Sequence, residues 1–195
     1  MKQTLSSLLG TLFLSSGLLA QSVWLENPAG ITYSLGPHFI NSIDLDHGDF
    51  DGDGNEDVVL VNLAEGKASV EIYRNSGTSA FMLQESRDLV QSTATAVKVA
   101  DVDGDNDDDI ILTNFKGHNH IYYNDGNMKF DAHHQHFGHT EGTVHDIELA
   151  DMDQDGDLDI VLAHHKLPNE VALNNGKGVF DEIEILETNG LPVIK

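Results

Sequence analysis

The chain has 195 residues, no cysteine, and 33 Asp and Glu against 10 Lys and Arg, a formal charge of −23. That charge argues against nucleic acid and anionic membrane as partners. The absence of cysteine removes a disulfide framework and thiolate metal sites.

At the N-terminus, Lys2 is followed by an apolar stretch carrying Leu5, Leu8, Leu9, Leu12, Phe13 and Leu14, then Ser15, Ser16 and Gly17, with a cut site after Ala20. This pattern reads as a signal peptide over residues 1–20, too short and too Ser-rich to span a bilayer. The remaining chain, 21–195, has the length of one domain. It carries no second apolar segment, so membrane insertion is not expected.

Three runs of alternating aspartates follow: DFDGDGNED from Asp49 to Asp57, DVDGDNDDD from Asp101 to Asp109, and DMDQDGDLD from Asp151 to Asp159. Each keeps Asp at positions 1, 3, 5 and 9, and the three nonapeptides hold 16 of the 33 acidic residues. Two carboxylates about 5 Å apart repel by roughly 3 kcal/mol at an effective dielectric of about 20, so the folded loops call for a cation. Oxygen-only ligands on a flexible loop suit Ca²⁺ better than Mg²⁺, which demands an octahedron and keeps its water. An EF-hand is excluded, because its position 12 needs a bidentate Glu and here holds Leu60, Leu112 and Leu162. Position 6, where the chain turns sharply, is Gly54, Asn106 and Gly156, types that tolerate a left-handed backbone.

Each loop joins two expected strands. Alternation precedes it at Ile43 and Leu45 around Asp44, Val97 and Val99 around Lys98, and Ile147 and Leu149 around Glu148. After each loop comes an apolar run, Val58 to Val61, Ile110 to Leu112 and Ile160 to Ala163, which reads as a strand buried on both faces. A second signature, NxGxxxF, recurs at Asn75, Gly77 and Phe81; Asn124, Gly126 and Phe130; and Asn174, Gly176 and Phe180. Strand-like residues lead into it at Val70 to Tyr73, Ile121 to Tyr123 and Val171 to Leu173, so it reads as a hairpin turn. The unit is therefore four short strands in about 50 residues, repeated over about 42–93, 94–142 and 143–187, the sequence form of propeller blades.

The combination of DxDxDGxxD, an apolar strand and NxGxxxF resembles the FG-GAP/VCBS repeat family, whose members form calcium-loaded β-propellers like the head of integrin α subunits. The resemblance covers roughly Val23 to Leu186. It implies a first Ca²⁺ site from the side chains of Asp49, Asp51, Asp53 and Asp57 with the carbonyl of Asn55. A second is implied from Asp101, Asp103, Asp105 and Asp109 with the carbonyl of Asp107, and a third from Asp151, Asp153, Asp155 and Asp159 with the carbonyl of Asp157. The integrin Gly-Ala-Pro element is missing, which weighs against integrin-like ligand recognition. Three bound Ca²⁺ would bring the formal charge from −23 to −17.

Histidine is the other unusual usage, with 11 in the chain. His118 and His120 lie near the start of the third strand of the second repeat, and His133, His134 and His136 on its fourth. If Tyr123 faces Phe130, His120 lies opposite His133, a pair able to share Zn²⁺; the plainer reading is an exposed polar strand. His47 stands where Val99 and Leu149 stand and reads as a half-buried structural histidine. His164 takes the place of Asn62 and Asn114 at the end of the buried strand, near a central channel.

For catalysis there is no nucleophile elbow, no HExxH and no phosphate-cradling Gly loop. The expectation is an all-β, exported protein, secreted, periplasmic or at the cell surface, acting as a calcium-binding module for binding or adhesion toward extracellular glycan or protein. An extracellular carbohydrate-active enzyme, lyase or hydrolase, and a calcium-dependent spacer are the alternatives. Asn27 precedes Tyr33 by the same six residues that separate Asn75 from Phe81, so Val23 to Tyr33 reads as the outer half of a further blade. About three and a half blades form an open arc, expected either to self-associate through its edges or to belong to a longer propeller.

Overall fold

The computed structural model describes residues 24–26, 32–34, 41–64, 67–77, 81–89, 94–130, 134–139 and 142–186. The expected leader and Asn27 lie outside them. Among the described residues there is no helix, hence none long and apolar enough to cross a membrane. All regular structure is β: a short antiparallel pair, β1 (Trp24–Glu26) and β2 (Thr32–Ser34), then three antiparallel four-stranded sheets.

Blade one is β3 (Asn41–Gly48), β4 (Asp57–Ala64), β5 (Lys67–Asn75) and β6 (Phe81–Leu89), hydrogen-bonded in that order. Blade two is β7 (Ala94–Ala100), β8 (Asp109–Asn114), β9 (Asn119–Tyr122) and β10 (His134–Phe137). Blade three is β11 (Thr143–Ala150), β12 (Asp159–His165), β13 (Asn169–Leu173) and β14 (Glu182–Leu186). The expected meander of strand, aspartate loop, buried strand, turn and hairpin is thus present three times. The arrangement is that of open, propeller-like blades.

The cores lie between blades. On β8, Ile110 and Leu112 pack toward blade one with Phe50, Val59, Val61 and Phe130, while Ile111 packs toward blade three with Val102, Ile160, Leu162 and Phe180. That division is why Ile110, Ile111 and Leu112 run apolar without alternation. Phe50 meets Phe130 edge to face, ring centroids 5.5 Å apart, a geometry worth about 0.5–1.5 kcal/mol beyond the area buried. In blade three, Val161 and Ala163 are half-buried rather than buried, because Ile160 and Leu162 take the face toward blade two.

The innermost strands β3, β7 and β11 pack side by side. Asp44 and Asp46 on β3 accept the amides of Val97 (2.9 Å) and Val99 (2.8 Å) on β7. Across the next junction Lys98 lies 3.4 Å from Glu148 on β11. Burial pushes the Asp44 carboxyl above the usual carboxylate range, opposed by the amides it accepts.

The strand register departs from the sequence expectation in two places. A bulge interrupts each inner pair at the same point, between Ser42 and Asp44, Ala94 and Ala96, and Val144 and Asp146. Ile43 sits in the first bulge and is 37% exposed, so the expected alternation of Ile43 with Leu45 does not hold. In blade two His120 pairs with His136, not His133, and Tyr122 with His134. The reason is Phe130, which leaves the sheet to pack between blades against Phe50; counting from Tyr123 opposite Phe130 therefore misplaces β10 by three residues.

Candidate metal centres

The three aspartate loops share one hydrogen-bonded frame. The position-1 carboxylate accepts the position-6 amide: Asp49 from Gly54 (2.7 Å), Asp101 from Asn106 (2.9 Å), Asp151 from Gly156 (3.2 Å). Position 3 accepts from position 5, as Asp51 from Asp53, Asp103 from Asp105 and Asp153 from Asp155. Position 5 accepts from position 7, as Asp53 from Asn55, Asp105 from Asp107 and Asp155 from Asp157. Aspartate is the type that can bond backbone two residues on while keeping a second oxygen free to face inward. Gly54, Asn106 and Gly156 have φ of 84°, 74° and 103°, the left-handed turn expected of position 6. Position 4 is left-handed as well, at Gly52, Gly104 and Gln154 (φ 69°, 83° and 67°), which the sequence reading missed.

Position 9 is a buried clamp. Asp57 accepts the amides of Phe50 (3.1 Å) and Asn75 (2.7 Å), Asp109 those of Val102 (3.1 Å) and Asn124 (2.8 Å), and Asp159 those of Met152 (2.8 Å) and Asn174 (2.9 Å). The aspartate and NxG motifs are therefore one unit: the last Asp of each loop holds the first residue of the following turn. Asn124 Nδ2 and Asn174 Nδ2 continue to the loop carbonyls of Asp108 and Leu158. The Gly of NxG is needed because a Cβ on Gly126 or Gly176 would collide with Asp107 or Asp157. The position-7 side chain thus faces the turn, which suits the carbonyl role implied for Asn55, Asp107 and Asp157.

Burial raises Asp57 to about 6 and Asp109 to about 7, with the backbone amides opposing and neighbouring loop aspartates adding. Asp103 and Asp153 are raised by burial first and by Asp105 and Asp155 among their neighbours. The loops are concentrated negative charge, and a cation would relieve it.

Asp49, Asp51 and Asp53 each bring a carboxylate oxygen within 4.8 Å of the others, as do Asp101, Asp103 and Asp109, and Asp151, Asp153 and Asp159. Asp57, Asp105 and Asp155 stand outside these convergent trios, as do the position-7 residues Asn55, Asp107 and Asp157. The donors are hard oxygens only, the set that fits Ca²⁺. Loop one already carries a cation of the protein's own: Arg74 Nε lies on Asp51 and Nη2 on Asp53 at 3.0 Å. Arg74 was not anticipated; its only sequence signal is its place just before Asn75, where the other repeats have Tyr123 and Leu173.

Among the described residues the histidines do not form a convergent group of this kind. His136 stacks on His118 (4.5 Å) and lies edge-on to His120 (4.6 Å), so the rings contact one another by their faces and edges. They are not among the groups whose ligand atoms converge among the described residues. With His120 opposite His136 and His133 outside the described residues, the expected His120/His133 zinc pair is withdrawn. His47 is half-buried against Glu56 at 3.2 Å, as expected of a structural histidine. The His164 imidazole is fully buried rather than facing a channel, 3.4 Å from buried Glu170, whose other oxygen lies 2.6 Å from His139.

Blades of four antiparallel strands, each carrying an aspartate loop between its first two strands, define a β-propeller-like repeat protein. A family model described as FG-GAP-like repeat matches residues 49–112 and again 101–162, and the chain belongs to that family. No curated protein matches the chain.

Proposed function

We propose that the chain is an exported calcium-binding module that presents its blades for binding or adhesion to extracellular glycan or protein. The observation that carries this reading is the threefold convergence of loop carboxylates on one hydrogen-bonded frame. Each site would draw on Asp49, Asp51, Asp53, Asp57 and the carbonyl of Asn55, or on their equivalents in the other two loops. Calcium there would supply charge neutralisation and rigidity, holding each loop and, through the position-9 Asp, the turn of the same blade.

Sites of extracellular modules bind with Kd of about 10⁻⁴ to 10⁻³ M, so millimolar calcium stabilises each by about 0.5–1.5 kcal/mol. The melting temperature should rise on adding calcium and fall with chelator. Indifference to both would refute the calcium reading. A glycan array and a polysaccharide-release assay on the calcium-loaded protein then separate a binder from an enzyme, since only the latter generates new chain ends.

A further inference from the structure

We propose that Arg74 is an internal competitor for the cation of loop one, so that loop one fills last, after loops two and three. The inference rests on the calcium reading above. In loop one, Asp51 Oδ1 and Asp53 Oδ1 are engaged by the backbone amides of Asp53 and Asn55. Their Oδ2 atoms, the ones left to face a cation, are those that Arg74 holds through Nε and Nη2. A guanidinium presents two donors in a fixed fork and so satisfies two neighbouring carboxylates at once. A guanidinium on those oxygens sets a positive charge against the place a calcium ion would take, and filling the loop is disfavoured until Arg74 moves aside.

Among the described residues the other loops have no such rival. The positions equivalent to Arg74 are Tyr123 and Leu173. Tyr123 turns its hydroxyl to the carbonyl of Gly178 in blade three, and burial, with Asp109 and Asp103 adding, pushes it up to about 12, so it is neutral near physiological pH. The convergent groups differ accordingly. In loops two and three they comprise positions 1, 3 and 9, whereas in loop one the arginine-bound Asp53 replaces Asp57. The loop with the arginine is the loop whose carboxylates are arranged differently. Its filling would release a guanidinium onto the surface of blade one, a charge that appears only when calcium is high.

The amides of Gly54, Asn106 and Gly156 each report one loop, since each is bonded to that loop's first aspartate. A calcium titration followed on these three signals by nuclear magnetic resonance is the test, run on wild type, Arg74→Gln and Arg74→Lys. In wild type Gly54 is expected to saturate at roughly tenfold higher calcium than Asn106 and Gly156, the scale of a two-donor ion pair at a partly exposed site. Arg74→Gln should bring Gly54 into line with the other two, and Arg74→Lys, which keeps the charge without the fork, should fall between. Gly54 saturating together with the others in wild type, unmoved by Arg74→Gln, overturns the competitor while leaving the calcium reading intact. Silence of all three amides overturns the calcium reading and this inference with it.

Discussion

The side-chain amide of Asn174 donates to the carbonyl of Val102, 2.7 Å away and 72 residues earlier in the chain. Asn124 makes the same bond one junction earlier, to the carbonyl of Phe50 at 2.9 Å, where the amide of Met128 also donates. The NxG asparagine is thus a staple between blades as well as a turn residue. It grips the loop of the preceding blade and the loop of its own.

Asn124→Ala should therefore be costly. It removes a donor from two carbonyls, leaving that of Phe50 with the Met128 amide alone and that of Asp108 without this partner, in a buried setting where an unsatisfied group costs about 1–3 kcal/mol. Asn75→Ala should cost markedly less, because among the described residues the Asn75 amide donates to Glu56 alone. Chemical denaturation of both variants in calcium decides it; equal losses would show that the interblade bond contributes nothing.

The pH dependence without calcium should run opposite to that of an ordinary acid-labile protein. Asp57 and Asp109 have folded values of about 6 and about 7, above the 3.8 of the unfolded chain, so folding favours their protonated forms. Their contribution is fully present below about pH 4 and is lost as pH rises through 6 and 7. With chelator, the melting temperature should fall from pH 4 to 7, and Asp109→Asn should flatten the fall. A rising melting temperature over that range would contradict the burial assigned to these carboxylates.

Asp151→Ala should delete one calcium site and leave two. The variant should lose the share of calcium-induced stabilisation belonging to loop three, about 0.5–1.5 kcal/mol at millimolar calcium, while its stability in chelator changes little or rises as one repelling carboxylate goes. Unchanged calcium stoichiometry by calorimetry would take Asp151 out of the ligand set.

Gly104 and Gln154 occupy the same loop position with φ of 83° and 67°. A Cβ on Gly104 would meet nothing within 4 Å, so Gly104→Ala isolates the backbone cost, about 1–2 kcal/mol of destabilisation. Gln154→Gly relieves that strain at some expense in unfolded-chain entropy and should be neutral or slightly stabilising. Thermal melts of the pair measure both.

The blade and its loop were legible in the sequence because local chemistry declares them. Aspartates at 1, 3, 5 and 9 have one economical use, and runs such as Ile110 to Leu112 belong only in a strand covered on both sides. What was hidden depends on distance. Arg74 acquires meaning only when β5 brings it to a loop 21 to 23 residues earlier. The pairing of His120 with His136 follows from where Phe130 packs, a tertiary preference that overrides turn counting. Gln154 gave no sign of a left-handed backbone, since glutamine carries no such tendency, and the bulges at Ile43, Thr95 and His145 have no common residue type to announce them.

The inner strands also write an order into the array. Asp44 and Asp46 of blade one accept the amides of Val97 and Val99 of blade two, and Lys98 of blade two in turn meets Glu148 of blade three, so at each of these junctions acid faces a donor or a base. Repeats that look interchangeable as motifs are therefore not interchangeable as neighbours. Among the described residues no further blade covers the far side of blade three, where Met152 is 45% exposed and its counterparts Phe50 and Val102 are 0% and 3%. If a second copy placed its first blade there, Asp44 and Asp46 would confront Asp146 and Glu148, and like charges would resist the contact until salt screens them. Such head-to-tail association should strengthen with ionic strength, a trend that sedimentation at low and high salt would reveal, and one that weakens instead would mean the blades meet by some other face.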